Sequence, residues 1–287
     1  MQVARVIYRI KFGVIEILQS FLITFREGLE MSLIVVIVLA YLIRTGRVRF
    51  VNQVWIGVSL AAVLSIIAGG ILFTVGAAFE GRNEKIFEGM AMILTAGVLT
   101  WMIIWMKEQA RGIRGQLEGQ VELAITQGST FTLASIAFLA VIREGLETVL
   151  FLFGVSQTTT PMQTGLGGFL GLLVAVAVGW ILYRGSHRIN FRIFLTSTGV
   201  LLILFAAGLL AHGIHELQEA GLLPIVVEHV WNINFIVDEK GTMGSLFKGL
   251  FGYNGNPSLL EVVAYPTYLI LILAIFFKPI RETSVDA

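Results

Sequence analysis

Phe21-Leu22-Ile23-Thr24-Phe25-Arg26-Glu27-Gly28-Leu29-Glu30 places three charged residues inside an apolar run from Ile17 to Ile43. The pattern returns as Phe138-Leu139-Ala140-Val141-Ile142-Arg143-Glu144-Gly145-Leu146-Glu147, inside a second run from Phe131 to Val155. A helix needs roughly 20 apolar residues to cross a bilayer, and both runs are that long. A charged side chain near the centre of such a run costs about 2.5–3.5 kcal/mol on insertion scales. Three of them at one depth must be paired inside the protein, and such groups usually mark a function.

Helical spacing says what each copy can do. Glu27 and Glu30 lie one turn apart on one face, and Arg26 meets Glu30 at four residues. Gly28 and Gly145 remove bulk and let a second helix approach closely. If the two motif helices pack together, four carboxylates and two guanidinium groups converge. A purely structural ion pair would lock the bundle with balanced charge, whereas each copy here has two acids for one base. An excess of carboxylate in a dry site takes up protons or attracts a cation, and a cation pathway is the better reading.

The rest of the chain has the character of these two runs. Of 287 residues, 56% are apolar and 14% charged, and the mean hydropathy is +0.84; a soluble domain carries about 25% charge. Five further apolar runs lie near Val54 to Phe79, Phe87 to Met106, Gly165 to Tyr183, Ile193 to Ala211 and Leu259 to Phe277. Membrane barrels alternate in short segments, so these long continuous runs are helices. A net charge of +1 without a basic block argues against nucleic acid as a partner. The lack of cysteine removes disulfides, thiolate chemistry and iron–sulfur clusters. A bound ion is then hard or borderline, held by oxygen and imidazole.

Lys and Arg in short loops set the orientation. One side receives Arg44, Arg47, Arg49, Lys107, Arg111, Arg114, Arg184, Arg188, Arg192, Lys278 and Arg281; the other receives Arg5, Arg9, Lys11, Arg82, Lys85, Lys240 and Lys248. The richer side is cytoplasmic, which puts the N-terminus outside and the C-terminus inside. Residues 1–16 are expected to form a separate interfacial segment, because Val3, Val6, Ile7, Ile10 and Val14 share a helical face. A signal peptide is the weaker reading, for no small-residue cleavage site follows.

The expected fold is therefore an all-α integral membrane protein of about seven transmembrane helices. Residues 17–283 form one polytopic unit, with repeat 1 at about 17–106, repeat 2 at about 131–220 and a last helix at about 259–277. The motifs sit in spans an odd number of crossings apart, so the copies are antiparallel, as in a three-plus-three inverted repeat with a midplane site. Ala96-Gly97-Val98-Leu99 and Ala207-Gly208-Leu209-Leu210 add weaker support.

On the external side His212, His215, Glu216 and Glu219 are spaced at three and four, one stripe of mixed ligands suited to iron, zinc or manganese if the helix continues past the membrane surface. A solvated amphipathic helix end has the same pattern. Glu80, Glu84 and Glu88 make a second series, with Glu88 the nearest to the pathway. Together with Glu228, His229, Asp238 and Glu239 they would make an acidic mouth. The glycine-rich loop Gly241 to Pro257 is expected to fold over it. Trp101, Trp105 and Trp231 read as interfacial or packing groups, and Met90, Met92, Met102 and Met106 as membrane packing.

With its paired Arg-Glu-Gly-Leu-Glu motifs, the chain resembles the iron permease family, the oxidase-dependent iron transporters of fungi and their bacterial EfeU-type relatives. The likeness runs from Ser20 to Phe277 and includes Gly213-Ile214-His215-Glu216-Leu217-Gln218-Glu219-Ala220-Gly221 and Lys248-Gly249-Leu250-Phe251-Gly252-Tyr253-Asn254. It implies that Glu27, Glu30, Glu144 and Glu147 bind iron during translocation, with Arg26 and Arg143 as counter-charges. It also implies a separate partner, a multicopper ferroxidase or a periplasmic protein that oxidises or binds iron. The segment before Ser20 departs from the family pattern.

The function expected is iron import across the plasma, or inner, membrane, with iron as Fe(II) or Fe(III) the cargo and no tightly bound cofactor. Glu88 and the His212 to Glu219 stripe would capture the ion. Carboxylates alone also suit lead, manganese or zinc. A membrane-embedded oxidoreductase or hydrolase using the His212 stripe, and a structural or receptor protein, are the rivals from other classes. A homo-oligomer is compatible with the sequence.

Overall fold

The computed structural model describes residues 2–109, 119–123, 130–157, 160–184, 191–238, 244, 247–248 and 251–278. Seven long helices occur among them: α1 (Gln2–Arg44), α2 (Val51–Gly76, after a 3-10 turn Val48–Phe50), α3 (Arg82–Gln109), α4 (Thr130–Ser156), α5 (Pro161–Tyr183), α6 (Phe191–Glu219) and α7 (Leu259–Phe277). There is no strand among the described residues.

Five of these, α2, α3, α5, α6 and α7, are long and apolar enough to cross a membrane. The remaining two, α1 and α4, carry the charged motifs. Side-chain placement in α2 and α5 is that of membrane helices. Large apolar groups face outward, Ile66 at 74% and Phe169 at 64% exposed, while Gly57, Ala61 and Ser65 of α2 and Gly167, Gly171, Ala175 and Gly179 of α5 are buried. Large apolar faces of this extent are not left to water in soluble domains. Between helices in lipid, close contact of small residues replaces the hydrophobic drive.

These small residues form two ladders that dock on the motif helices. On α2, a Cβ at Gly57 would meet the Ala134 backbone of α4, Gly145 of α4 lies on Ser65, and Gly69 meets Val149. On α5, Gly167 lies on the Ile17 backbone of α1, Gly28 of α1 on Ala175, and Gly179 on Ser32. Ile17 and Ala134, Gly28 and Gly145, and Ser32 and Val149 each hold the same place relative to their motif arginine. The two copies thus use the same docking surface. α1 and α4 run antiparallel, for Ile23 packs with Phe151 and Val155 while Val38 and Leu42 pack with Leu133 and Ala137.

α3 lies along α6, and Gly89 and Gly213 face each other there: a Cβ on either would stand 2.9 Å from the other's carbonyl oxygen. α7 closes on this pair through Tyr268 against Thr100 and Phe276 over Gly199. Gly97 meets nothing within 4 Å and Gly208 packs on Gly252, so the two Ala-Gly stretches do not hold matching places.

Some boundaries differ from the sequence reading. Helix α1 runs unbroken from Gln2 to Arg44, so residues 2–16 continue directly into the motif helix. Helix α5 begins at Pro161 because Thr160 and Gln163 form a capping box around a first-turn proline. Helix α2 stops at Gly76, short of Phe79, and α6 carries on two turns past Ala211 to Glu219. Arg111, Arg114, Arg188, Glu239, Lys240 and Arg281 lie outside the described residues.

Candidate metal site between the repeated motifs

Glu27 and Glu30 of α1 and Glu144 of α4 each offer a carboxylate oxygen, and the three oxygens lie within 4.8 Å of one another. Among the described residues they are the one group of three such ligands that close. Glu27 is fully buried and Glu144 and Glu147 nearly so. Glu147 is within electrostatic range of Glu30 and Glu144 but outside the group of three.

The arginines divide unequally. Arg26, fully buried, pairs with Glu27 and stands 2.9 Å from Glu30. Arg143, 31% exposed, holds Glu147 with Nε at 3.0 Å and is 4.0 Å from Glu144. Oε2 of Glu27 and Oε2 of Glu147 are buried without a hydrogen-bond partner. Buried oxygens of that kind are costly unless a ligand satisfies them. Four acids stand against two bases here, a formal excess of negative charge that a proton or a cation can offset.

A third wall comes from α3. The Arg26 guanidinium lies against the sulfurs of Met102, at 3.3 Å, and Met106. The Arg143 guanidinium lies over the Trp105 ring at 3.9 Å from its centre and 5.8 Å from that of Trp101. These four side chains read from sequence as packing or interfacial groups, and the structure sets them on the two motif arginines. The signal was their spacing, two i, i+4 pairs on adjacent stripes of one helix. Gly28 and Gly145 each admit a second helix at close range, as expected. They seat α5 and α2 behind the motifs; the two motif helices do not meet through them.

Between one and about two turns before Glu27, the oxygens of Thr24, Ser20 and Gln19 are buried without hydrogen-bond partners. Other helical hydroxyls fold back on the carbonyl four residues earlier, as Ser65, Thr95 and Thr148 do.

The second cluster sits at the other end of α3 and α6. His215 Nδ1 is 3.0 Å from Glu261 and its Nε2 3.2 Å from Glu219, which also pairs with Lys85. Glu88 interacts with Glu216 and Glu84, and the His212 and His215 rings are 6.1 Å apart. The stripe is therefore on one helix face, with His215 already engaged by two carboxylates. Glu80 precedes α3, so the series of three glutamates is not wholly helical. Glu228, His229 and Asp238 are exposed. In the glycine-rich loop, Gly252 packs on Gly208 and Asn254 donates to Glu261 at 2.8 Å, which brings the described part of that loop over this cluster.

Glu261, buried on α7, escaped the sequence reading. It accepts from the Ser258 backbone at 3.1 Å in a capping box, and Ser258-x-x-Glu261 before an apolar run was its available signal. Glu122 escaped as well: Tyr41 and then Arg47 donate to its carboxylate and hold it below the usual carboxylate range.

The model of the Iron permease FTR1 family matches residues 17–281. The chain is 38% identical over 263 residues to "Ferrous iron permease EfeU" of Escherichia coli O6:H1 (strain CFT073), covering 91% of this chain and 95% of the relative. It is 38% identical to the protein of that name in Shigella sonnei (strain Ss046), with the same coverage. The Yersinia pestis protein of that name is 35% identical over 269 residues, 93% of this chain and 95% of its own. No solved structure matches the chain.

Proposed function

The chain belongs to the iron permease FTR1 family, and from that premise we propose that it imports ferrous iron across the plasma, or inner, membrane through the Glu27, Glu30, Glu144 and Glu147 site. The observation that carries this reading is the approach of Glu27, Glu30 and Glu144 within 4.8 Å across two antiparallel helices. All-oxygen coordination suits a hard or borderline divalent ion. The relatives are named ferrous iron permeases, which supports Fe(II) as the cargo.

In this reading residues 17–283 form one permease unit of seven spans, N-terminus outside, with repeats at about 17–106 and 131–220 and a last helix at about 259–277. The corresponding ladders of α2 on α4 and α5 on α1 support an inverted repeat. Arg44, Arg47 and Arg184 at one end of the helices, against Arg82 and Lys85 at the other, support the orientation. Glu88, His212, His215, Glu216 and Glu219 draw the ion to the outer end of α3 and α6. At the midplane iron competes with the guanidinium groups for the carboxylates, and release to the cytoplasm restores the ion pairs. A separate ferroxidase or periplasmic iron-handling protein supplies the ion, and the chain itself is a transporter without enzymatic turnover.

The test is uptake of radiolabelled ferrous iron by proteoliposomes holding the purified protein. Wild-type vesicles accumulate iron, and vesicles with Glu27→Gln or Glu144→Gln do not. Manganese, zinc and lead enter as competitors, and stronger competition by one of them than by unlabelled iron reassigns the cargo.

A further inference from the structure

The two arginines occupy the same place in two copies of one motif but are held differently, and the difference falls on one helix. Arg26 is engaged by both carboxylates of its own copy. Arg143 lies over Trp105, with Nε still on Glu147 and 4.0 Å from Glu144. The motif carboxylate on α4 that joins the group of three is Glu144, the one Arg143 has left at the longer distance; Glu147, held at 3.0 Å, is outside it.

An ion held by Glu27, Glu30 and Glu144 competes with the guanidinium groups already on or near those carboxylates. A guanidinium released into the span without a partner would oppose binding by its desolvation. Aromatic faces and thioethers can receive it. Indole is the strongest ring for a cation, and the attraction grows when water is excluded. A thioether is a weak, polarisable acceptor. An indole ring is not a metal ligand and a thioether is a soft one better suited to Cu(I), so neither competes for iron with the carboxylates, and both hold the guanidinium loosely enough to return it.

We propose that α3 is a counter-charge shelf, with Trp105 and Trp101 receiving Arg143, and Met102 and Met106 receiving Arg26, when iron takes the carboxylates. These four are positioning residues, acting on iron through the arginines. Arg143 is already half transferred, so the α4 side yields first and Glu144 is the carboxylate made ready for the ion. The inference rests on the iron-binding reading above.

The experiment is a double-substitution cycle on ferrous iron binding by the purified full chain in detergent, with gel filtration to check the fold. Trp105→Leu leaves Arg143 no aromatic face and raises the Kd about tenfold, while Trp105→Phe keeps a ring and most of the affinity. On an Arg143→Gln background Trp105→Leu has no further effect, because no guanidinium remains to be received. Should W105L fail to purify, Met106→Leu with and without Arg26→Gln runs the same cycle on the other half. Wild-type affinity in W105L overturns the shelf. So does a loss as large on the R143Q background as alone, which would mean the indole only packs or screens lipid. If the wild-type chain binds no iron, the transport reading falls and the shelf with it. If wild type binds iron, E144Q does not, and W105L is unchanged, the shelf alone falls.

Discussion

Glu27 on α1 and Glu144 on α4 present carboxylate oxygens within 4.8 Å of each other, across two antiparallel helices that carry one motif twice. Like charges at that distance repel unless a proton, a guanidinium or a cation stands between them. Arg26 takes that part for Glu27, and Glu144 is left the freer of the two.

The first prediction concerns Arg26. Its guanidinium is fully buried, and removing one partner of a buried ion pair costs about 3–5 kcal/mol. Arg26→Gln should therefore lower the unfolding temperature in detergent, and ferrous iron should recover more of that loss than it adds to wild type. Equal stabilisation of both proteins by iron would separate Arg26 from the ion site.

Helix docking is open to a paired test. Gly57 lies on the Ala134 backbone, so Gly57→Ala must push α2 off α4, at about 1–3 kcal/mol. Gly70, also on α2, has nothing within 4 Å, and Gly70→Ala should be neutral or stabilising by up to about 1 kcal/mol. Thermal unfolding of the two variants checks the contrast; equal effects would remove the ladder from the account.

Much of this was legible in the sequence, for identifiable reasons. Charge in an apolar run is rare enough to be read directly, and so Arg26, Glu27, Glu30 and their copies stood out. Antiparallel placement followed from counting crossings. What escaped was set by tertiary contact. Trp105 and Met106 look like any membrane side chain until Arg143 and Arg26 are placed against them. Glu261 looks like a helix cap until His215 meets it. The apolar run of α6 ends at Ala211, while the helical spacing of His212, His215, Glu216 and Glu219 carries the helix on to Glu219.

Glu122, outside the spans, makes stability depend on pH. Glu122 has its carboxyl held below the usual range by Tyr41 and Arg47. A depressed folded pKa adds stability above the unfolded value, about 4.3, and that contribution is lost as pH falls through the folded one. Glu122→Gln should thus be slightly less stable than wild type at neutral pH and equal to it in acid. Melting temperatures across that range read the effect, and a constant gap at all pH values would speak against it.

The outer cluster is tested by His215, which Glu261 and Glu219 hold at 3.0 and 3.2 Å. His215→Ala should raise the KM for ferrous iron several-fold with the maximal rate little changed, since it acts before the midplane step. A fall in the maximal rate at constant KM would move His215 from capture to translocation.

The central claim is that iron binds between the repeated motifs, and its most direct measurement is anomalous scattering at the iron edge from crystals of the ferrous-loaded protein. The account predicts a peak bonded to the carboxylates of Glu27, Glu30 and Glu144. A peak confined to the outer cluster of Glu88, His212, His215, Glu216 and Glu219, with none between the motifs, would contradict it.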